Sequence, residues 1–364
     1  MKILFIAPIP PPLNGQSLAS QVIYDEIATN NKVDLVNINK KRPKSIVDQI
    51  GRFFSILNQS LSLSFKSAKA DRIYFTISES VLGNIKDLFF YVLCFNSLHK
   101  MVIHLHGGAG MTLIMNNESS LLAKLNIFFL KRMKGIIILG QSLKQVYNNK
   151  INAHKIFIVP NFAQDYLFLD EVSIIKKFDN CNTIRLLYLS NLIYGKGYEE
   201  LLDAYFALPE EIMQRIQIDL AGEIRTYGEK VKILERIQNH PNIRYHGVVV
   251  GEMKKALFSN AHVFCLPTYY PYEGQPISIL EAYASGCIVM TTNHSGIPDI
   301  FNDFENGYLV EKKSSESISK AIKKIVFDAD EKLLVNLALN NSKLANEKYR
   351  AVKYCNELKK VLLG

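Results

Sequence analysis

The sequence predicts an α/β protein made of two doubly wound parallel-sheet domains facing each other across a cleft. Three observations lead there. The chain has 364 residues, long for one open α/β unit and natural for two of roughly 150–180 residues. Short β-rich apolar segments alternate with helical patterns along its whole length, which implies βαβ crossovers and parallel sheets. That alternation runs once, pauses between Asn161 and Asn182, and runs again.

The strand candidates follow in order. In the first half they are Ile3–Ala7, Val33–Ile38, Arg72–Thr76, Val102–Leu105, Ile136–Leu139 and Ile156–Val159. In the second they are Arg185–Leu189, Ile218–Ala221, Ile243–His246, Val263–Leu266, Ile288–Thr291 and Gly307–Val310. From Ser315 to Gly364 the pattern is helical, with no further strand. Residues 1–165 are expected to form the first domain and 183–345 the second. Residues 346–364 would be a closing helix that either caps the second sheet or crosses back to the first.

Composition excludes several classes. Hydrophobic residues make up 48% of the chain, charged residues 21%, and mean hydropathy is +0.04, which rules out a mainly disordered or collagen-like chain. The five cysteines are odd in number and scattered, so neither a disulfide framework nor a cysteine zinc site fits, and a reducing compartment is expected. The start, Met-Lys-Ile-Leu-Phe-Ile-Ala, is too short in its apolar run for a signal peptide and reads as the first strand. The longest uncharged apolar run, Leu88 to Phe95, falls far short of the ~20 residues that span a bilayer.

Net charge is +9, and residues 1–165 hold 19 Lys/Arg against 9 Asp/Glu, so all the excess lies in the first half. One domain is thus expected to meet an anionic partner, unless the basic surface serves solubility alone.

In open parallel sheets ligands bind beyond the carboxyl ends of the strands. After Val263–Leu266 comes Pro267-Thr268-Tyr269-Tyr270-Pro271-Tyr272-Glu273-Gly274-Gln275-Pro276-Ile277, then a helical pattern of about ten residues with Pro276 in its first turn and Gly286 at its stop. Amides at such a helix start suit a phosphate. Glu273 and Glu281 would repel a phosphate but suit hydroxyls of a sugar or ribose. Their plainer reading is a helix-dipole carboxylate and an exposed helix glutamate. After Arg185–Leu189, Lys196 lies between Gly195 and Gly197, where it either approaches a diphosphate or is a solvated turn lysine. The first strand exits into a loop with four prolines that ends at Gly15-Gln16. A dinucleotide fingerprint is missing there, since neither its glycines nor an acid after the second strand is present. Finally, His104 and His106 project to one face at a strand end beside Gly107-Gly108-Ala109-Gly110. They read as a structural pair or as hydrogen-bonding groups for substrate. A metal site would need a third ligand with matching context, and no dedicated metal site is expected.

The Glu273-x7-Glu281 element, followed by Ala282-Tyr283-Ala284-Ser285-Gly286, resembles the signature of retaining, nucleotide-sugar-dependent glycosyltransferases of family four, which have the GT-B fold of two Rossmann-like domains. The resemblance runs along nearly the whole chain through Val159-Pro160-Asn161, Lys196-Gly197, Ala221-Gly222-Glu223, His246-Gly247, Asn293-His294-Ser295-Gly296-Ile297-Pro298-Asp299 and Asn306-Gly307-Tyr308-Leu309-Val310. The proline-rich first loop and Glu-Gly-Gln-Pro are similar to enzymes of bacterial surface-polysaccharide assembly, of the O-antigen, lipopolysaccharide or capsule kind. The resemblance implies an acceptor-side first domain and a donor-binding second domain. Glu281 would take the ribose hydroxyls, and Glu273 those of the transferred sugar. Lys196 and the amides around Gln275–Ile277 would hold the diphosphate, with Gly274 and Pro276 also at the donor. His106 would sit by the reacting carbon, with Gly15 and Gln16 near the phosphate. Two departures stand out: Asn191 replaces the family's arginine five residues before the lysine, and Gly15-Gln16 replaces a Gly-Gly.

No cofactor is implied beyond the donor itself, with UDP favoured over GDP as its nucleotide. The basic clusters Lys40-Lys41-Arg42-Pro43-Lys44, beside the apolar pattern Ile46, Ile50, Phe53, Leu57 and Leu61, and Lys124, Lys131, Arg132 and Lys134, beside Leu125, Phe128 and Phe129, suit an anionic membrane surface or are ordinary packed helices. A lipid-diphosphate-linked glycan acceptor and a peripheral place on the inner face of the cytoplasmic membrane fit that composition. Nucleic acid is not expected, since no aromatic RNA-binding motif or recognition helix accompanies the charge. A sugar-nucleotide 2-epimerase and a non-catalytic sugar-nucleotide-binding assembly partner remain the alternatives.

Overall fold

The computed structural model describes residues 1–38, 62–78, 80–179, 182–327 and 330–364. The basic cluster at 40–44 and the apolar pattern at 46–61 lie outside them, as does Cys181. The chain divides into two compact units, residues 1–161 with 352–364, and residues 162–351.

The first unit is built on six parallel strands: β1 (Lys2–Ala7), β2 (Lys32–Asn37), β3 (Arg72–Thr76), β4 (Met101–Leu105), β5 (Gly135–Ile138) and β6 (Ile156–Ile158), in the order β2-β1-β3-β4-β5-β6. Every residue of β4 and β5 is buried. That is why these segments read as continuous apolar runs and not as alternation: a parallel sheet is covered on both faces. The helix Gly15–Ala28 after β1 opens with a capping box in which Asn14 and Ser17 satisfy each other's amides. The closing helix, Ala351–Leu363, docks in this unit: the Tyr354 hydroxyl donates to the Ala19 carbonyl at 3.3 Å, and Arg72 Nε donates to the Leu362 carbonyl at 3.1 Å.

The second unit has strands β7 (Ile184–Leu189), β8 (Ile216–Ala221), β9 (Ile243–Tyr245), β10 (Val263–Leu266), β11 (Ile288–Thr292) and β12 (Gly307–Val310), ordered β12-β11-β10-β7-β8-β9, again all parallel. The order reverses between β7 and β10, so the loops leaving those two strands diverge and open a crevice at their carboxyl ends. The pause in the pattern between Asn161 and Asn182 is not a linker. It holds a short helix, Asp165–Leu167, and the helix Glu171–Phe178, whose Ile174 and Phe178 are buried in the second core. The terminal helical stretch is three helices: Ser315–Phe327, Glu331–Lys348 and the docked last one.

Candidate functional site

The β7/β10 switch point brings together two residues that lie 77 apart in the chain. Lys196 Nζ donates to Glu273 Oε2 at 2.7 Å, and both side chains are largely shielded from water. Lys196 sits in the loop leaving β7 and Glu273 in the loop leaving β10. Around them the Thr268 hydroxyl lies 3.0 Å from the same Glu273 oxygen, and the Tyr270 ring lies 5.0 Å from the ammonium. The loop after β11 holds the carboxylate's backbone: Ser295 Oγ donates to the Glu273 carbonyl at 2.6 Å, and the Gly296 amide to the Gly274 carbonyl at 3.1 Å.

The lysine turn needs its second glycine for a different reason than access to a ligand. Gly197 has φ +86, and a Cβ there would meet the Pro267 carbonyl oxygen at 2.4 Å, so the two switch-point loops touch through it.

The helix after Glu273 runs Ile277–Ala284, eight residues and not ten, and Pro276 is its N-cap and not part of the first turn. No side chain caps it, so the first-turn amides at Ile277 and Ser278 have no partner within the helix. Its far end is fastened by Lys177, whose Nζ donates to the Ser285 carbonyl at 2.6 Å and the Gly286 carbonyl at 3.2 Å. Gly286 has φ +60, as a helix stop requires.

Glu281 is neither exposed nor a lone helix glutamate. It is 1% exposed and its Oε1 accepts from Lys254 Nζ at 2.6 Å, while the same ammonium donates to Gln164 Oε1 at 3.1 Å. Burial pushes the Glu281 carboxyl up, and the lysine beside it pulls the other way. Lys254, on the helix Gly251–Asn260, has no motif around it; only its place on the buried side of that helix distinguishes it from its neighbour Lys255. Sequence reasoning missed it for that reason.

Asn191, in the position of the family's arginine, accepts the Glu223 amide at 3.4 Å through Oδ1 and so ties the loops after β7 and β8. It adds no charge to the site. The chain does contain one Asp-x-Asp, Asp328-Ala329-Asp330, a spacing that can serve a divalent cation. Here Asp330 caps the helix Glu331–Lys348 through the Leu333 amide at 2.7 Å, and the other two residues lie outside the described ones.

His106, Gly15 and Gln16 belong to the first unit. Gly15 is the exposed first residue of its helix and Gln16 is half-buried. The glycines after β4 do not form one loop: Gly108 caps the helix Ala109–Asn116, and Gly110 lies inside it. The His104 and His106 rings lie 3.9 Å apart between centroids, and His104 Nδ1 is 2.6 Å from the Tyr74 hydroxyl. Burial holds both imidazoles neutral, with His106 pushed down to about 3. Both Nε2 atoms are buried without a hydrogen-bond partner among the described residues. Two orphaned nitrogens beside a strand end can receive or offer hydrogen bonds to a polar ligand.

Comparison with known proteins agrees with this geometry. Residues 173–343 match the family described as glycosyl transferases group 1. An uncharacterized glycosyltransferase of Methanocaldococcus jannaschii is 28% identical over 62% of this chain and 59% of its own. The O-antigen chain mannosyltransferase B of Escherichia coli is 31% identical over 37% of this chain and 35% of its own. The chain thus spans between 35% and 59% of the length of these curated relatives. Among solved structures, the HepE protein of Anabaena, crystallised with UDP and glucose, superposes with a TM-score of 0.72 at 16% identity, covering 100% of this chain and 99% of that one. Both sheets therefore have the GT-B glycosyltransferase fold.

Proposed function

We propose that this chain, which carries a group 1 glycosyl transferase domain over residues 173–343, is an enzyme that moves a sugar from a nucleoside diphosphate to an acceptor hydroxyl with retention at the anomeric carbon. The observation that carries the reading is the Lys196–Glu273 pair across the β7/β10 switch point, beside the open first turn of the Ile277–Ala284 helix. A cation and free helix amides meet a diphosphate, and a carboxylate meets hydroxyls. In this reading Lys196 turns from Glu273 to the donor's diphosphate, joined by the amides around Gly274, Gln275 and Ile277. Glu273 then accepts hydroxyls of the transferred sugar. Glu281 accepts those of the ribose through its second oxygen while Lys254 holds the first. His106, neutral, offers its orphaned nitrogen to the sugar, and Gly15 and Gln16 approach the phosphate.

The bond from the anomeric carbon to the diphosphate oxygen breaks, and the bond to the acceptor oxygen forms on the same face. The acceptor's proton goes to the departing phosphate oxygen, and a nucleoside diphosphate and a glycoside result. Fixed donors aimed at the charge growing on the leaving group are commonly the largest catalytic term. UDP is the favoured nucleotide, no resident metal or cofactor is invoked, and the acceptor is a lipid-diphosphate-linked glycan of surface-polysaccharide assembly. The enzyme works at the inner face of the cytoplasmic membrane; no helix among the described residues is long and apolar enough to cross it.

A thermal-shift screen against UDP, GDP, ADP, dTDP and CMP, alongside Glu281→Ala, tests this. A ligand at 100 times its dissociation constant adds about 2.7 kcal/mol. Stabilisation of the wild type by one diphosphate, lost in the variant, supports the reading. No stabilisation by any of them removes it and leaves the chargeless Asn191 as the leading fact.

A further inference from the structure

The helix Val81–Leu93 is apolar on both sides. Its inner side buries Leu88, Phe90 and Tyr91 in the first core, and its outer side leaves Leu82 80%, Val92 58% and Ile85 53% exposed, with Phe89 at 44%. A helix that is hydrophobic all round is ordinarily buried all round. The adjoining helix Leu121–Leu130 is locked to it by a buried amide pair: Asn84 Nδ2 donates to Asn126 Oδ1 at 2.9 Å, and Asn126 Nδ2 donates back at 2.8 Å. Its exposed stripe, Leu121, Lys124, Leu125 and Phe128, continues the same surface, because Phe128 stacks on Phe95 at the end of the first helix with ring centroids 6.2 Å apart. Arg132 lies over the Phe128 ring at 3.6 Å.

We propose that this face seats on an anionic lipid bilayer, with the apolar side chains entering the headgroup boundary and the cations meeting lipid phosphates. Charge selects this occupant. Across residues 80–95 and 120–134 the acid is Asp87, which is buried under the Ser78 amide and hydroxyl and paired with Lys86 at 3.3 Å, whereas Lys124, Lys131 and Arg132 stand exposed beside the apolar stripe. Long basic side chains lay their stems along apolar surface and carry their charge to a phosphate layer, an arrangement suited to an interface plane and not to an acidic groove or a nucleic-acid backbone, for which the apolar centre offers no hydrogen bonds. The inference deepens the function proposed above, on which it rests for the lipid-borne acceptor, by naming the surface that would reach it.

Co-sedimentation of the full chain with vesicles of phosphatidylglycerol and phosphatidylethanolamine, against phosphatidylcholine alone, at about 0.15 M salt tests it. Binding to the anionic vesicles is expected. It should fall about tenfold or more in Lys124→Glu with Arg132→Glu, at about 1 kcal/mol per well-placed cation. It should fall similarly in Leu82→Ser with Ile85→Ser and Phe89→Ser, while the melting temperature and any nucleoside-diphosphate stabilisation stay as in the wild type, since these side chains face outward. No binding of the wild type, or equal binding by both variants, overturns the proposal. So does a dimer in lipid-free solution that the triple variant dissolves, which would assign the face to a second copy. If vesicles bind but no nucleoside diphosphate does, the transferase reading fails and the docking face stands.

Discussion

At the carboxyl ends of β7 and β10, Lys196 holds Glu273 at 2.7 Å, and between two helices of the same unit Lys254 holds Glu281 at 2.6 Å. At the carboxyl end of β4, the first unit places two neutral imidazoles, tilted with centroids 3.9 Å apart, whose Nε2 atoms have no hydrogen-bond partner among the described residues. The first unit is nonetheless the strongly basic half of the chain. Among its described residues Lys124, Lys131 and Arg132 stand exposed on or just after an outward helix, whereas the imidazoles at the end of β4 are buried and neutral. The second unit, with 21 Lys/Arg against 25 Asp/Glu, sets a cation–carboxylate pair at its strand ends and buries another between its helices. Net charge therefore says little about where charge chemistry happens. Burial decides, because a buried ion persists only beside a counter-ion, whereas a buried imidazole can give up its proton.

The comparison breaks most sharply at the innermost pair. Lys254→Met leaves Glu281 buried without its cation, and removing one partner of such a pair costs about 3–5 kcal/mol. Burial already pushes this carboxyl up, so without the lysine it rises further and its ionisation becomes the cost. The loss should be full at about pH 8 and shrink toward about pH 5 as protonation relieves the charge. Adding Glu281→Gln should recover most of it. Urea unfolding of the single and double variants at the two pH values checks this, and a loss independent of pH would mean that the lysine matters for packing alone.

At the switch point, Lys196→Ala should lower turnover about 100-fold or more, the equivalent of roughly 2.7–4 kcal/mol, by removing the cation that meets the charge growing on the leaving group. Steady-state transfer or donor hydrolysis reads it. An unchanged rate would move the catalytic charge elsewhere.

The smallest expected effect belongs to the first unit. An unfolded imidazole takes a proton below about pH 6.5, but His106 in the fold does so only at about 3. The unfolded chain therefore binds more protons in that window, and stability should fall as pH drops through it. His106→Gln should lessen the slope, measured as the urea midpoint against pH. An unaltered slope would mean that this imidazole is not held neutral by its surroundings.

Much of this was readable from the chain. The twelve strands of the described residues fall where apolar β-rich runs predict them, within a residue or two at each end, because a strand buried on both faces must be apolar throughout. The Glu273 loop and the Lys196 turn were legible too, since glycine and proline mark strand exits and helix starts. Less was readable about partners. Nothing local distinguishes Lys254 from Lys255, and nothing in Asn191 announces a tie to the Glu223 amide. The helix Glu171–Phe178 was hidden inside an apparent pause, because its eight residues give too few turns for a clear period.

The sequence by itself determined the elements, their repetition in two sheets and the loops that carry chemistry, since all of these follow from side-chain period and backbone preference within a few neighbouring residues. Only the tertiary structure decided which charges meet. The reversal of strand order between β7 and β10 sets residues 77 apart within 2.7 Å of each other, and the inward turn of one lysine on its helix gives a buried glutamate its counter-ion. Pairings of that kind depend on topology and burial, which no local window of the chain contains.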